Sequence, residues 1–181
     1  MRKLASFVLA LSFVASTVHA ADLPSPPSGF EWQQIPEVKS ALLRPQGWYF
    51  KQEEKGGILG YFVTAQDIDK VGHFETGLTV NVFPRLGEGL AVERGKQLID
   101  RVATAHDEKP WNQQVGQLQE FGCEVRDTDG SGTVVMHALA VANTKTDTLY
   151  LLIFESPAAE WDAQWKIGKE MMDTVKFDDG V

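Results

Sequence analysis

Cysteine is nearly absent from this chain. Cys123 is the single one in 181 residues, so no internal disulfide can form. Histidine is scarce too, four in all, and none stands in the HxH or HExxH spacing that a zinc site uses. There is no Gly-x-Ser-x-Gly elbow, no Walker loop and no dinucleotide fingerprint, which removes the commonest signatures of hydrolases and nucleotide enzymes. Basic residues are outnumbered, 17 Lys and Arg against 25 Asp and Glu for a net charge of −8, and they form no cluster. Such a surface argues against nucleic acid, whose phosphates demand cationic patches. Long hydrophobic runs are missing after residue 20, so no membrane insertion is expected.

The first twenty residues, MRKLASFVLALSFVASTVHA, read as a signal peptide. Arg2 and Lys3 supply the positive start, Leu4 to Val18 is a short apolar run, and Val18-His19-Ala20 offers small residues for cleavage before Ala21. A periplasmic or secreted protein is the expectation, beginning at Ala21. Residues 21–29, ADLPSPPSG, read as an extended tail. Residues 30–177 read as a single α+β domain with no internal repeat, and 178–181 as a C-terminal tail. At this length the one thiol need not staple anything.

Strand patterns dominate the domain. Trp48-Tyr49-Phe50, an interruption at Glu53 to Gly57, and Ile58 to Val63 predict a hairpin. Leu78 to Val82 alternates apolar and polar residues, the pattern of a strand with one buried face. In Leu118 to Arg126, Phe121, Cys123 and Val125 share one side and Glu120, Glu124 and Arg126 the other. Val134 to Val141 and Leu149 to Phe154 are apolar on both parities apart from His137 and Tyr150, which predicts strands covered on both faces. The short connections at Asp127–Gly132 and Asn143–Asp147 make the three an antiparallel meander.

Helical spacing appears twice. In Gly89 to His106 the apolar face carries Ala91, Gly95, Leu98, Ile99, Val102 and Ala105. A later helix is predicted with Ser156 as N-cap, Pro157 at its first position, and Trp161, Trp165, Gly168, Met172 and Val175 on one face. A third, short helix is predicted over Glu37 to Leu43, ended by Pro45. The expected fold is an antiparallel sheet with helices on both faces, an α/β/α sandwich.

Candidate chemistry is thin. Counted from Asp127, the stretch DTDGSG aligns Asp127, Asp129, Ser131 and Gly132 with a calcium loop, but the twelfth residue is Ala138 where a bidentate Glu is needed. Asp-Gly and Ser-Gly between alternating strands predict a hairpin turn instead. If that hairpin is symmetric about Gly130, Cys123 and His137 face each other, a thiol–imidazole pair able to act as a nucleophile. A slip of one residue puts Ala138 opposite Cys123, and the apolar company of Cys123 predicts a buried structural thiol. His73 and His106 are isolated, and the acidic pairs Glu53-Glu54 and Asp178-Asp179 read as solvated charge. Of the five tryptophans, 32, 48, 111, 161 and 165, a ligand platform is conceivable, while Trp161 and Trp165 at helical spacing read as core. No catalytic residue, metal ligand or cofactor is expected.

Three stretches carry a resemblance: Pro45-Gln46-Gly47-Trp48 leading into the first hairpin, Thr76 to Val82 (TGLTVNV), and FESPAAEWDAQW before the last helix. In their order, over Phe30 to Phe177, the sequence resembles the Mog1/PsbP-like group of photosystem II extrinsic subunits, a nuclear-transport factor and small exported bacterial proteins. That resemblance implies an α/β/α fold and a non-catalytic binding or assembly role on a protein partner. It supplies no catalytic, metal or partner residue to transfer. A small-molecule or metal-binding periplasmic protein and a cysteine hydrolase are the alternatives.

Overall fold

Strands β3 (Tyr49–Lys55), β4 (Ile58–Thr64) and β5 (Gly77–Phe83) begin the main sheet. The second half supplies β6 (Trp111–Val115), β7 (Leu118–Asp129), β8 (Gly132–Asn143) and β9 (Thr148–Pro157). Neighbours run antiparallel in the order β3-β4-β5-β9-β8-β7-β6. Ahead of them β1 (Phe30–Ile35) and β2 (Ser40–Pro45) form a separate hairpin. The helices are the four-residue α1 (Ile68–Val71), α2 (Leu90–Ala105) and α3 (Trp161–Asp173). This computed structural model describes residues 23–129 and 132–177. The expected signal peptide, Ala21 and Asp22, the hairpin tip Gly130-Ser131 and the C-terminal tail 178–181 with Asp178-Asp179 lie outside the described residues.

Sequence parity decides which layer each side chain joins. On β8, Ala138, Ala140 and Ala142 meet α2 through Ala91, Ile99 and Ala103, together with Phe121, Cys123 and Val125 of β7. Val135 and Val141 point the other way, into a cluster with Leu42, Tyr61, Leu152, Phe154, Trp161 and Met171 from β2, β4, β9 and α3. Small residues on one face let α2 approach closely. A Cβ on Gly95 would stand 3.1 Å from a Leu149 methyl and 3.5 Å from the Ala140 Cβ. The sheet therefore has helices on both faces, and its two central strands are apolar on both parities because both sides are dry.

Four expectations need correction. Glu37–Leu43 is not a helix: a 3-10 turn at Pro36–Val38 ends at Lys39 in the left-handed region (φ 48°), and Ser40 begins β2. There Leu42 and Leu43 are fully buried against the unforeseen partner strand β1. Ser156 does not cap α3. It is buried in β9 opposite Val135, its Oγ accepts from the Thr76 hydroxyl at 3.4 Å, and Ala158 N–H still donates to Thr133 O at 2.9 Å, so the helix waits until Trp161. On α2 it is Ala103, not Ala105, that is buried. Glu53 and Glu54 lie in β3 rather than in its turn, which falls between Lys55 and Ile58.

Candidate functional site

The meander register settles the proposed nucleophile. Cys123 pairs with Ala138 and Glu124 with His137, so the β7–β8 ladder is offset by one residue from the symmetric arrangement about Gly130. An offset of one sends a side chain to the opposite face. Cys123 goes under α2, 1% exposed, while His137 emerges on the α3 side, its ring 4.5 Å from that of Trp165. Burial, and then the Glu108 carboxylate, push the Cys123 thiol up. A protonated thiol across the sheet from the imidazole forms no dyad. Val135 and Leu139 share the face of His137, which leaves Ala138 as the cross-strand neighbour of Cys123.

His137 does open into something. Helix α3 packs over β9, β5 and β2 and reaches β8 where Trp165 meets His137. A cleft of about 460 Å³ remains between the helix and the sheet. Its floor comes from β7 and β8, with Leu118, His137, Leu139 and Val141. Its wall is α3, where Trp165, Lys169, Met172 and Asp173 fall at helical spacing on one side. Val175 and Phe177 close one end, as the chain leaves α3 and bridges back to β2 through the paired backbones of Lys176 and Ala41.

Trp111 forms the opposite rim from the edge strand. Its partner across the ladder is Gly122, and the indole lies on that glycine so closely that a Cβ there would stand 2.2 Å from the ring. The ring centroid is 6.5 Å from that of His137. An aromatic row, Trp111, His137, Trp165 and Trp161, thus runs from open edge to core, the last pair stacked at 5.2 Å. Trp161 is buried as expected, but Trp165 lines the cleft. The row was hidden in the sequence because it draws on three elements. Only the isolated His in an otherwise apolar strand pointed to it.

The polar groups of the cleft are few. Lys169 pairs with Asp173 along the helix, and Gln113 donates its side-chain amide to Glu120 across β6 and β7 at 2.6 Å. His137 Nδ1 is buried with no hydrogen-bond partner among the described residues. Burial holds its imidazole below the usual range, against the raising pull of Asp173 and with a lowering push from Lys169. At neutral pH the ring is uncharged and can donate or accept one hydrogen bond.

The remaining candidates do not assemble. His73 Nδ1 lies 3.1 Å from the Val71 carbonyl, and His106 ends α2. Strands flank the DTDGSG stretch on both sides, with Asp129 paired to Gly132, where a calcium loop has helices. Among the described residues no three His, Cys, Asp or Glu side chains group as metal ligands, and no helix is long and apolar enough to cross a membrane.

No protein-family model matches the sequence, and a search of curated proteins by sequence gives no match. Solved structures do match the fold. The solution structure of the cyanobacterial PsbP, CyanoP, from Synechocystis aligns with a TM-score of 0.52 at 12% identity, over 87% of this chain and 99% of that one. The Saccharomyces cerevisiae Ran-binding protein Mog1p aligns with a TM-score of 0.50 at 13% identity, over 83% and 96%. A Bacteroides thetaiotaomicron crystal structure aligns with a TM-score of 0.54 at 12% identity, and the match covers 84% of this chain but only half of that longer protein. At such identities the likeness speaks for architecture alone: the chain has the Mog1/PsbP-like α+β fold.

Proposed function

We propose that this is an exported, non-catalytic binding domain that engages a protein partner of the envelope or the secreted fraction through the α3 cleft. One observation carries the reading. Among the described residues, an aromatic row of four rings runs from the exposed Trp111 through the cleft to the core. Aromatic anchors, tryptophan above all, are where binding energy concentrates in protein interfaces once the partner excludes water from them. The fold neighbours lend it support, since one is by name a Ran-binding protein. The acidic net charge argues for a protein rather than a nucleic acid as the occupant.

The cleft volume also falls in the range of small-ligand pockets, which favours a periplasmic small-molecule binder as the second reading. A photo-cross-linking residue placed at Lys169, with Gln97 on the outer face of α2 as control, separates the two in living cells. Protein-sized adducts from position 169 and none from 97 are expected. Adducts from 97 alone, or a small molecule retained in native mass spectrometry with no adduct at 169, would overturn the protein-partner reading.

A further inference from the structure

The two edges of the main sheet are unlike. Edge strands present unpaired backbone groups, and proteins protect them with charge, proline or a covering segment. At one edge β3 carries Lys51, Glu53, Glu54 and Lys55, and Lys51 reaches both Glu53 and Asp69 of α1. That edge is guarded. At the other, β6 reads Trp-Asn-Gln-Gln-Val, all five residues are exposed, and among the described residues no strand lies beyond it. It holds no charge and no proline. Trp111 is 38% and Val115 53% exposed. One carbonyl, that of Gln113, is taken by the side-chain amide of Gln119 at 2.9 Å. In an antiparallel edge strand alternate residues still aim their N–H and C=O outward.

We infer that β6 is a site of strand addition, taking an extended segment of a partner protein with a basic residue placed over the Trp111 ring. The inference rests on the cleft-binding reading above and deepens it. The unpaired backbone selects an extended chain, as in other β-augmentation sites. Its side-chain preference follows from the face that Trp111 shares. On β7, Glu120 and Glu124 stand two residues either side of Gly122, the residue beneath the indole. An aromatic face between two carboxylates attracts a guanidinium or ammonium group. Residues flanking that cation at spacing two fall on the same face, and an apolar side chain there stands diagonal to the exposed Val115 of β6. A second copy of this chain fits less well. Edge-to-edge pairing over five residues falls short of the roughly 1,200 Å² at which stable interfaces begin, and two acidic faces would meet.

The probe is the blocked peptide acetyl-Thr-Val-Thr-Arg-Thr-Val-Thr-amide, titrated into the isotope-labelled chain while backbone amide and indole resonances are followed. Two twins accompany it, one with Glu in place of Arg, the other N-methylated at the Val and Arg amides. Saturable shifts at residues 111–115 and at the Trp111 indole are expected, and each twin should bind about tenfold or more weakly, one step of 1.4 kcal/mol. If the N-methylated twin binds equally well and the shifts sit at His137 and Trp165, strand addition is overturned while cleft binding stands. If the Glu twin binds as well as the parent, the basic preference is wrong. Protection of the β6 amides that grows with protein concentration, without peptide, would replace the partner by a second copy. Absence of any shift at millimolar peptide also overturns the inference, and the cross-linking at Lys169 reports separately on the cleft.

Discussion

At Cys123 the thiol sits behind α2 with Ala138 across the ladder, and desolvation disfavours its thiolate. Replacing it by Ser leaves a hydroxyl in an apolar layer and should lower stability by about 1–3 kcal/mol. Cys123→Ala should cost less, because only a small void remains. Denaturant melts of the two variants give the order, and Ser milder than Ala would contradict the burial. The native thiol should also resist a maleimide until the protein unfolds. On the other face, Gly122 is small because Trp111 rests on it. Gly122→Ala should push the indole aside and move its N–H resonance. Stability should change by less than about 1 kcal/mol, since an exposed edge side chain can swing away. An unmoved indole resonance would contradict that contact.

Among elements, the two helices use glycine alike in sequence and differently in space. Glycine in a helix interior costs about 1 kcal/mol relative to alanine, so each substitution begins with that gain. At Gly95 the nearest neighbour is the flexible end of Leu149, at 3.1 Å. Gly95→Ala should therefore be neutral or slightly stabilising. At Gly168 a Cβ would lie 2.5–2.7 Å from the ring of Phe154. That ring is fully buried and held by Trp161 and Trp165 at about 6 Å, so it has nowhere to go. Overpacking of this kind costs about 1–3 kcal/mol, and Gly168→Ala should be net destabilising. Thermal melts that rank the two the other way would contradict the packing of α3.

The same elements show what a sequence can carry. Doubly apolar β8 and β9 and the amphipathic α2 were legible because burial writes itself into parity and period. Strands β1 and β6 were not, since FEWQQI and WNQQV are half or wholly exposed and pair through backbone. The β7–β8 register escaped as well. Asp129 pairs with Gly132, a two-residue tip, whereas a hairpin centred on Gly130 needs an odd one, and both satisfy the same turn residues. That one-residue difference separated Cys123 from His137 and delivered His137 to the cleft. The site itself depends on β6, on the register and on where α3 stops, none of which is a local property.

For the molecule as a whole, two part-buried titrating groups on opposite faces should tilt stability in opposite directions with pH. His137 faces Trp165, Lys169 and Asp173, and its pKa is lowered from 6.5, mainly by burial. The unfolded chain then binds the proton more readily, so stability is complete above about pH 6.5 and is lost as pH falls toward the folded value. Glu155 lies on the α2 side of β9, beside Met136 and Gly77 in the ladders, and burial raises its carboxyl above 4.5. Here the folded chain keeps the proton longer, so stability is complete below about pH 4.5 and is lost as pH rises through the folded value. Each neutral variant removes one slope. Relative to wild type, Glu155→Gln should gain as pH rises from about 4 to about 7, and His137→Gln should lose ground over the same span, because it no longer shares the rise that the histidine gives. Melting temperatures across that range measure both differences on one plot. Two lines parallel to wild type would mean that neither group is shielded from water, which would contradict the part-burial of both side chains.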